Sequence, residues 1–245
     1  MEQRYWYADG LEPEELAFQR LYGPVEPATR EEAAEFFGGL GLDWWVAGGW
    51  AVEAFTGVSR PHDDLDVSFW RRHVPELVNY ADGRYHVWSA GSRAIFPISP
   101  DRPEMPDNAD QVWLREHALA PWKYDVVLNP DRDGRWIFRR DPSLDYALDE
   151  VTWIADDGIR YMNPEMALAY KAKGDRPKDR ADLAAASRCS ERPDVPGWPR
   201  WSIICTPITP GWSRSAAGEQ KIAGLAGNKR RSSGTSGQDL PLRVL

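Results

Sequence analysis

Two aspartates at alternate positions, Asp64 and Asp66, most constrain what this chain can fold into, because the residues around them have the pattern of a β-strand. Successive side chains of a strand point to opposite faces. Leu65, Val67 and Phe69 therefore share one face, which predicts packing onto a core. Both aspartates lie on the other face, where two carboxylates at close range repel each other unless a cation lies between them.

A hard divalent cation held by both carboxylates would offset this repulsion. Mg²⁺ is the usual ion where phosphate oxygens complete the coordination shell. The alternative is a strand at the edge of a sheet with Asp64 and Asp66 in solvent. On the Asp-Leu-Asp pattern alone both interpretations stay open.

A double glycine and a third carboxylate favour the metal interpretation. Gly48-Gly49 lies between a predicted buried strand and a short apolar helix. Glycines at such a turn let the backbone approach a ligand, and the free N–H groups at a helix start bind phosphate oxygens. Asp125 lies in the predicted strand KYDVVL on the face opposite Tyr124, Val126 and Leu128, together with Lys123 and Val127. It could complete the metal site or act as a general base, and an ordinary turn and a surface aspartate are the alternatives.

Together these residues resemble the nucleotidyltransferase superfamily that includes polymerase-β-like enzymes. The closer resemblance is to the aminoglycoside 2''-adenylyltransferase-like and lincosamide nucleotidyltransferase families, which carry a Gly-Gly-Trp-Ala segment and an Arg-x-His-x-Asp-x-Asp segment. This chain has both segments, as Gly48-Gly49-Trp50-Ala51 and as Arg60, His62, Asp64 and Asp66. The resemblance extends more loosely over about residues 30–185.

The resemblance implies an enzyme that transfers a nucleoside monophosphate from ATP or another nucleoside triphosphate to a hydroxyl group. The nucleoside monophosphate expected first is AMP, and the reaction is expected to use two Mg²⁺ ions. Asp64, Asp66 and Asp125 would be the catalytic metal ligands, and Asp125 either completes the site or deprotonates the acceptor. Nucleotide-binding roles are implied for Gly48, Gly49, Trp50, Arg60, His62, Lys171 and Lys178. For the basic residues, solvent exposure or a place at a helix end is the alternative explanation.

The charge and apolar content of the chain restrict the classes of partner that it is expected to bind. The chain of 245 residues has a net charge of −8, which makes nucleic acid an unlikely partner and favours a cationic small substrate. No apolar run approaches the roughly 18 residues that span a bilayer, so no membrane partner is predicted. The N-terminus lacks a signal-peptide pattern, and the two cysteines are not spaced as metal ligands. A cytoplasmic location is expected, and the oligomeric state stays open.

The predicted acceptor is a small hydroxylated molecule, with an aminoglycoside or a lincosamide antibiotic as the candidates. Carboxylates for an aminoglycoside are available at Glu53, Glu104, Asp107 and Asp110, and aromatic walls for a lincosamide at Trp88, Trp113, Trp122 and Trp136. Two other functions stay open. One is a toxin-like nucleotidyltransferase that modifies RNA or protein, and the other is an inactive remnant that only binds nucleotide.

Local patterns predict most of the secondary structure. Thr29 followed by Glu32 is a capping-box pattern that opens a helix to about Phe37. Alternating segments predict a hairpin over RYHVWS and RAIFPI, a pair of strands in QVWLREH and WKYDVVLN, and a hairpin over EVTWIADDGIRYM. Prolines at every third residue from 97 to 106 predict an extended loop.

The predicted fold class is α+β, with a nucleotidyltransferase-type mixed twisted sheet, flanking helices and an irregular C-terminal tail. The nucleotidyltransferase domain covers residues 1–185, with its core at 30–185, and residues 186–245 form the tail. Codons for Gly197–Trp212 in a shifted frame permit an amphipathic helix followed by a His/Pro-rich end, as in relatives of the resembled families. We therefore hypothesise that the tail is a frameshift product.

Overall fold

The computed structural model describes residues 13–62, 64–91, 94–172, 174 and 176–190. Its helices are α1 (Pro13–Tyr22), α2 (Arg30–Gly38), α3 (Gly48–Thr56), α4 (Val74–Ala81), α5 (Leu148–Val151), α6 (Pro164–Lys171) and α7 (Pro177–Ser190), with a 3-10 turn at Arg71–His73. Its strands are β1 (Trp44–Val46), β2 (Asp66–Trp70), β3 (His86–Gly91), β4 (Ala94–Ile98), β5 (Ala109–Arg115), β6 (Tyr124–Asn129), β7 (Asp131–Arg132), β8 (Arg135–Ile137), β9 (Asp145–Tyr146), β10 (Thr152–Ile154) and β11 (Arg160–Met162).

The strands form one large sheet and one small sheet. The large sheet has the order β10-β11-β1-β2-β6-β5-β3-β4, and the small one has the order β7-β8-β9. Strands β1 and β11 pair in parallel, as do β2 and β6, while the other pairs of the large sheet are antiparallel. The predicted α+β class with a mixed sheet and flanking helices is confirmed.

The predicted strand pairs are confirmed, with one difference in the proline segment. Strands β3 and β4, β5 and β6, and β10 and β11 pair as antiparallel neighbours. Pro97 does not belong to a loop, because it lies in β4 opposite Trp88. Strand β4 is at the edge of the sheet, where the missing N–H of a proline costs no ladder hydrogen bond if that side faces away from the partner. Period-three spacing alone could not reveal this position.

The predicted capping box is confirmed at the start of α2. The hydroxyl of Thr29 accepts a hydrogen bond from the Glu32 N–H at 3.1 Å, and the Glu32 carboxylate accepts one from the Thr29 N–H at 2.8 Å. Two of the donors that a helix start leaves without partners are thereby satisfied. Lys123 Nζ lies 2.7 Å from the same carboxylate and ties the helix start to the segment before β6.

We expect Thr29→Ala to lower the free energy of unfolding by about 1 kcal/mol, because the Glu32 N–H loses its acceptor. The control is Thr29→Ser, which keeps the hydroxyl and should retain the stability of the wild type. Urea denaturation of the three proteins measures the difference. Equal stability of the alanine and serine variants would contradict the cap.

One face of the large sheet packs onto α2 and forms the core. Val67 and Val126 have no solvent exposure, and neither does Phe69. The rings of Phe37 and Phe69 lie 6.4 Å apart, and those of Phe36 and Tyr124 stack at 5.4 Å. Because side chains alternate along β2 and β6, the carboxylates between these apolar residues must lie on the other face.

The tryptophans proposed as cleft walls are largely packed in the interior. Trp113 and Trp122 are 6% and 4% exposed, and α1 covers Trp113 with the rings of Phe18 and Tyr22 at 5.8 and 6.1 Å. Trp136 has no exposure and donates its indole N–H to Asn129 at 2.9 Å. Burial at these positions follows from tertiary contacts that composition does not show.

Helix α7 continues across the predicted domain boundary at 185/186 and ends at Ser190. Residues 191–245, on which the frameshift hypothesis rests, lie outside the described residues. Within the described part of the chain, no helix has the length and apolar character needed to cross a membrane.

Candidate active site

Two carboxylates stand side by side at the centre of the large sheet. Asp66 begins β2 and Asp125 is the second residue of β6, and the parallel register places them directly opposite each other. Neighbouring strands are about 5 Å apart, so the two acidic side chains emerge next to each other from one face. Asp66 is 5% exposed, so water screens this pair poorly.

The third predicted carboxylate, Asp64, lies just before the strand and not within it. Strand β2 begins at Asp66, and the Val67 N–H donates to the Leu65 carbonyl at 3.0 Å, which bends the chain at this point. The indole of Trp50 donates to the Asp64 carbonyl at 3.0 Å and fixes the segment against α3. The negative charge of Asp64 still acts on both strand carboxylates.

Burial and the close approach of these carboxylates raise the pKa values of Asp66 and Asp125. Burial, followed by repulsion from Asp64, raises the pKa of Asp66 to about 7. Burial also raises the pKa of Asp125 well above its ordinary value, and the charges of Asp66 and Asp64 add to the effect. Like charges held this close favour a bound cation or a bound proton.

Asp125 has one carboxylate oxygen held and one that accepts no hydrogen bond of ordinary geometry among the described residues. The side-chain amide of Gln111 donates to Asp125 Oδ2 at 3.0 Å. Asp125 Oδ1 is buried and accepts no hydrogen bond of ordinary geometry among the described residues, although the indole N–H of Trp113, its neighbour across β5 and β6, lies close enough to lower the pKa of Asp125. Gln111 is not among the predicted site residues, although the predicted pairing of its strand with that of Asp125 could have placed it near this carboxylate. A buried acceptor without a donor is costly, and at a reactive site it indicates a ligand position.

The double glycine fits closely against these acids. Gly48 has φ +64°, a conformation that favours glycine, and a Cβ there would lie 1.7 Å from Asp66 Oδ2. A Cβ on Gly49 would lie 2.2 Å from Arg60 Nη2 and 2.9 Å from the His62 ring. No side chain caps the start of α3, so its first N–H groups are available in the manner of a phosphate-binding helix start.

His62 is fixed between an aromatic ring and a carboxylate. Its ring stacks on Trp50 with centroids 4.0 Å apart, and His62 Nε2 lies 2.7 Å from Glu53 Oε2. Burial lowers the pKa of His62, against the raising effect of Glu53. Arg30 covers the Trp50 ring at 4.8 Å. Glu53 was considered in sequence only as a carboxylate for the acceptor, whereas here it orients His62.

The predicted phosphate-binding cations lie in a network with α7. Arg60 donates from Nε and Nη2 to the two carboxylate oxygens of Asp182 at 2.8 and 2.9 Å. Lys171 Nζ lies 3.2 Å from Asp182 and 3.5 Å from Asp179. The positive charges of Lys171, Lys178 and Arg176 all lower the pKa of Asp66, so these cations act on that carboxylate.

These residues could bind a divalent cation with two carboxylates, but they do not supply a complete set of protein ligands. Among the described residues, no group of three or more His, Cys, Asp or Glu side chains is placed to hold a metal ion. Mg²⁺ is commonly bound by one or two carboxylates together with water and substrate phosphates. Asp66 and Asp64, whose negative charge acts on Asp66, provide that pair, and the start of α3 lies beside Asp66.

Residues 32–86 match the family model of aminoglycoside-2''-adenylyltransferase. The predicted resemblance to this family is confirmed. The matched segment runs from α2 into β3 and includes Gly48, Gly49, Asp64 and Asp66, while Asp125 lies outside it. No curated protein gives a significant match to the chain.

Two solved structures of the antibiotic-resistance factor ANT(2'')-Ia also overlap with the chain. One is a solution structure with 17% sequence identity, and the other is a crystal structure with adenylyl-2''-tobramycin and 19% identity. The overlaps cover 65% of this chain and 85% and 88% of the two neighbours, each with a TM-score of 0.37.

Proposed function

We propose that this protein is a Mg²⁺-dependent nucleotidyltransferase that moves AMP from ATP to a hydroxyl group of an aminoglycoside. The observation that carries the proposal is the in-register pair of Asp66 and Asp125 packed against the Gly48 turn. The match of residues 32–86 to the aminoglycoside-2''-adenylyltransferase family supports both the reaction and the acceptor class.

Asp64 and Asp66 would hold Mg²⁺ together with phosphate oxygens, and Asp125 would complete the site. Mg²⁺ held there would supply electrostatic stabilisation of the negative charge on the triphosphate. The N–H groups at the start of α3 would bind phosphate oxygens, with Arg60 close to the same turn. The protein's contribution is mainly positioning and electrostatic stabilisation.

Asp125 is the group best placed to take the proton of the acceptor. Its Oδ2 is held by Gln111, so Oδ1 is the oxygen that remains for the hydroxyl. In the proposed step the hydroxyl oxygen bonds to the α-phosphorus, the proton moves to Asp125 Oδ1, and the bond from the α-phosphorus to the bridging oxygen breaks. Pyrophosphate then carries the displaced electron pair.

An acidic molecule suits a polycationic acceptor. The net charge is −8, and opposite charge raises the rate at which acceptor and protein meet. Lincosamides remain the second acceptor class to test, because the family resemblance in sequence includes them. The aromatic walls that a lincosamide would need are weakly supported, since Trp113, Trp122 and Trp136 are interior residues.

The experiment is pyrophosphate release from ATP or GTP with Mg²⁺, over panels of aminoglycosides and lincosamides. We expect release with ATP that depends on an aminoglycoside and stops when EDTA removes the metal. Release with lincosamides only would replace the acceptor class. No release with any acceptor, from protein that circular dichroism shows to be folded, would contradict the proposed function.

A further inference from the structure

Asp182 on α7 is a buried carboxylate that contacts two cations of the candidate active site. The residue is 5% exposed. Both of its oxygens accept hydrogen bonds from Arg60, at 2.8 and 2.9 Å, in the bidentate geometry that fixes a guanidinium plane. Lys171 Nζ approaches the same carboxylate at 3.2 Å. Arg60 and Asp182 are 122 residues apart in sequence, so this pair connects the segment before β2 to the end of the described chain.

Among the described residues, the contacts of Arg60 use only part of its guanidinium. Nε and Nη2 each donate to Asp182, and Nη1 donates to the Pro61 carbonyl at 2.8 Å. A guanidinium has five N–H groups, so one on Nη1 and one on Nη2 are outside these contacts. A Cβ built on Gly49 would lie only 2.2 Å from Arg60 Nη2, so this nitrogen is close to the Gly49 backbone. The free edge of Arg60 therefore lies against the start of α3.

Arg60 is held at two points, its backbone N–H and its guanidinium. The Arg60 N–H donates to Glu53 Oε2 at 3.1 Å, which anchors the backbone, while Asp182 anchors the side chain. The hydrogen bond from Arg60 to Asp182 is the main cause that raises the pKa of Arg60. Without Asp182 the side chain could leave the turn by rotation of its flexible stem, at no cost in covalent strain.

We propose that Asp182 is a positioning residue, which acts through Arg60 by holding its guanidinium against the Gly48-Gly49 turn for the triphosphate. The inference rests on the proposed function, because it assigns Asp182 a role in the same transfer. Lys171 is less dependent on Asp182, since it also lies 3.5 Å from Asp179. The effect of losing Asp182 therefore passes mainly through Arg60.

A purely structural role, as an anchor of α7, is the competing explanation. An anchor would change stability and leave the kinetic parameters of folded protein close to those of the wild type. A positioning residue changes kcat more than the KM for ATP, because orientation is used in the transition state. Its effect also disappears once the residue through which it acts is removed.

The test is a double-mutant cycle of Asp182→Asn and Arg60→Ala, with kcat and the KM for ATP measured for all four proteins. We expect Asp182→Asn alone to lower kcat about tenfold or more, with less than about a threefold change in KM. In the Arg60→Ala background the same change should lower kcat by less than about twofold. Circular dichroism and thermal unfolding confirm that each protein is folded.

Asp145→Asn is the matched control, because Asp145 also binds arginines, Arg132 at 2.9 Å and Arg135 at 2.6 Å, but on the small sheet. It should keep the wild-type kcat. Wild-type kinetics in folded Asp182→Asn would overturn the inference alone, as would an equal loss of kcat in both backgrounds. Absence of transfer by the wild-type protein would overturn the proposed function and this inference with it.

Discussion

Asp66→Asn is expected to lower the rate of nucleotidyl transfer by about a thousandfold or more while raising the temperature of unfolding in the absence of Mg²⁺. The loss of rate follows because the amide of Asn is a poor ligand for a hard divalent cation. The gain in stability follows because Asp66 is 5% exposed and stands opposite Asp125 in register. Removing the buried member of this pair of like charges relieves repulsion that the fold otherwise bears.

The effect of Mg²⁺ on stability distinguishes loss of metal binding in Asp66→Asn from general destabilisation of the fold. Mg²⁺ should raise the unfolding temperature of the wild-type protein, because binding to the folded state stabilises it. It should raise that of Asp66→Asn much less. The readouts are initial rates and thermal unfolding at pH 8 with and without Mg²⁺, and Asp145→Asn serves as the charge-matched control. A variant that is inactive and less stable than the wild type would contradict the repulsive pair.

Gly48→Ala is expected to lower transfer by about a hundredfold, because the new Cβ displaces the Asp66 carboxylate. The ideal Cβ position is 1.7 Å from Asp66 Oδ2 and 2.8 Å from Asp66 Cγ, so rotation of the carboxylate alone does not remove the clash. The positive φ of +64° adds a backbone cost of about 1 kcal/mol for any residue with a Cβ. Misplacement of a reacting group by about 1 Å can cost a hundredfold in rate.

Gly57→Ala is the matched control for the backbone cost. Gly57 ends α3 with φ +66°, and a Cβ there would meet nothing within 4 Å. Both variants should therefore lose a similar amount of stability from the left-handed backbone, and only Gly48→Ala should also lose the rate. Initial rates and urea denaturation of the two variants make the comparison. Equal activity of the two would show that Gly48 does not position Asp66.

Alternation of apolar and polar residues was enough to predict the part of the site that lies within strands. It placed Val67 and Phe69 on a core face, and the structure confirms that burial. It also predicted that Asp125 faces away from Tyr124, Val126 and Leu128, and the register then sets it opposite Asp66. The start of β2 at Asp66 was less predictable, because a bend in the chain does not change the alternation of apolar and polar residues in the sequence. Asp64 therefore fits the strand pattern but lies before the strand.

Local sequence patterns could not predict contacts between residues that are far apart in the sequence. Arg60 was predicted as a nucleotide-binding residue, but nothing near it in sequence indicated that its carboxylate partner, Asp182, lies on α7. Gln111 carried no motif, and its role follows only from the pairing of β5 with β6. The interior tryptophans were equally hidden, because packing against α1 and not residue type determines whether a ring lines a cleft. Local sequence predicts elements and faces, while the partners of polar side chains depend on the complete fold.

Mass spectrometry of an aminoglycoside with a free 2''-hydroxyl, after incubation with the wild-type protein, ATP and Mg²⁺, detects the proposed transfer itself. We expect an acceptor heavier by one adenylyl group, formed together with pyrophosphate. We expect no such product with Asp125→Asn, which keeps the shape of the site and removes its charge. An unmodified acceptor from folded wild-type protein, or equal product from the variant, would contradict the assignment of this carboxylate pair to nucleotidyl transfer.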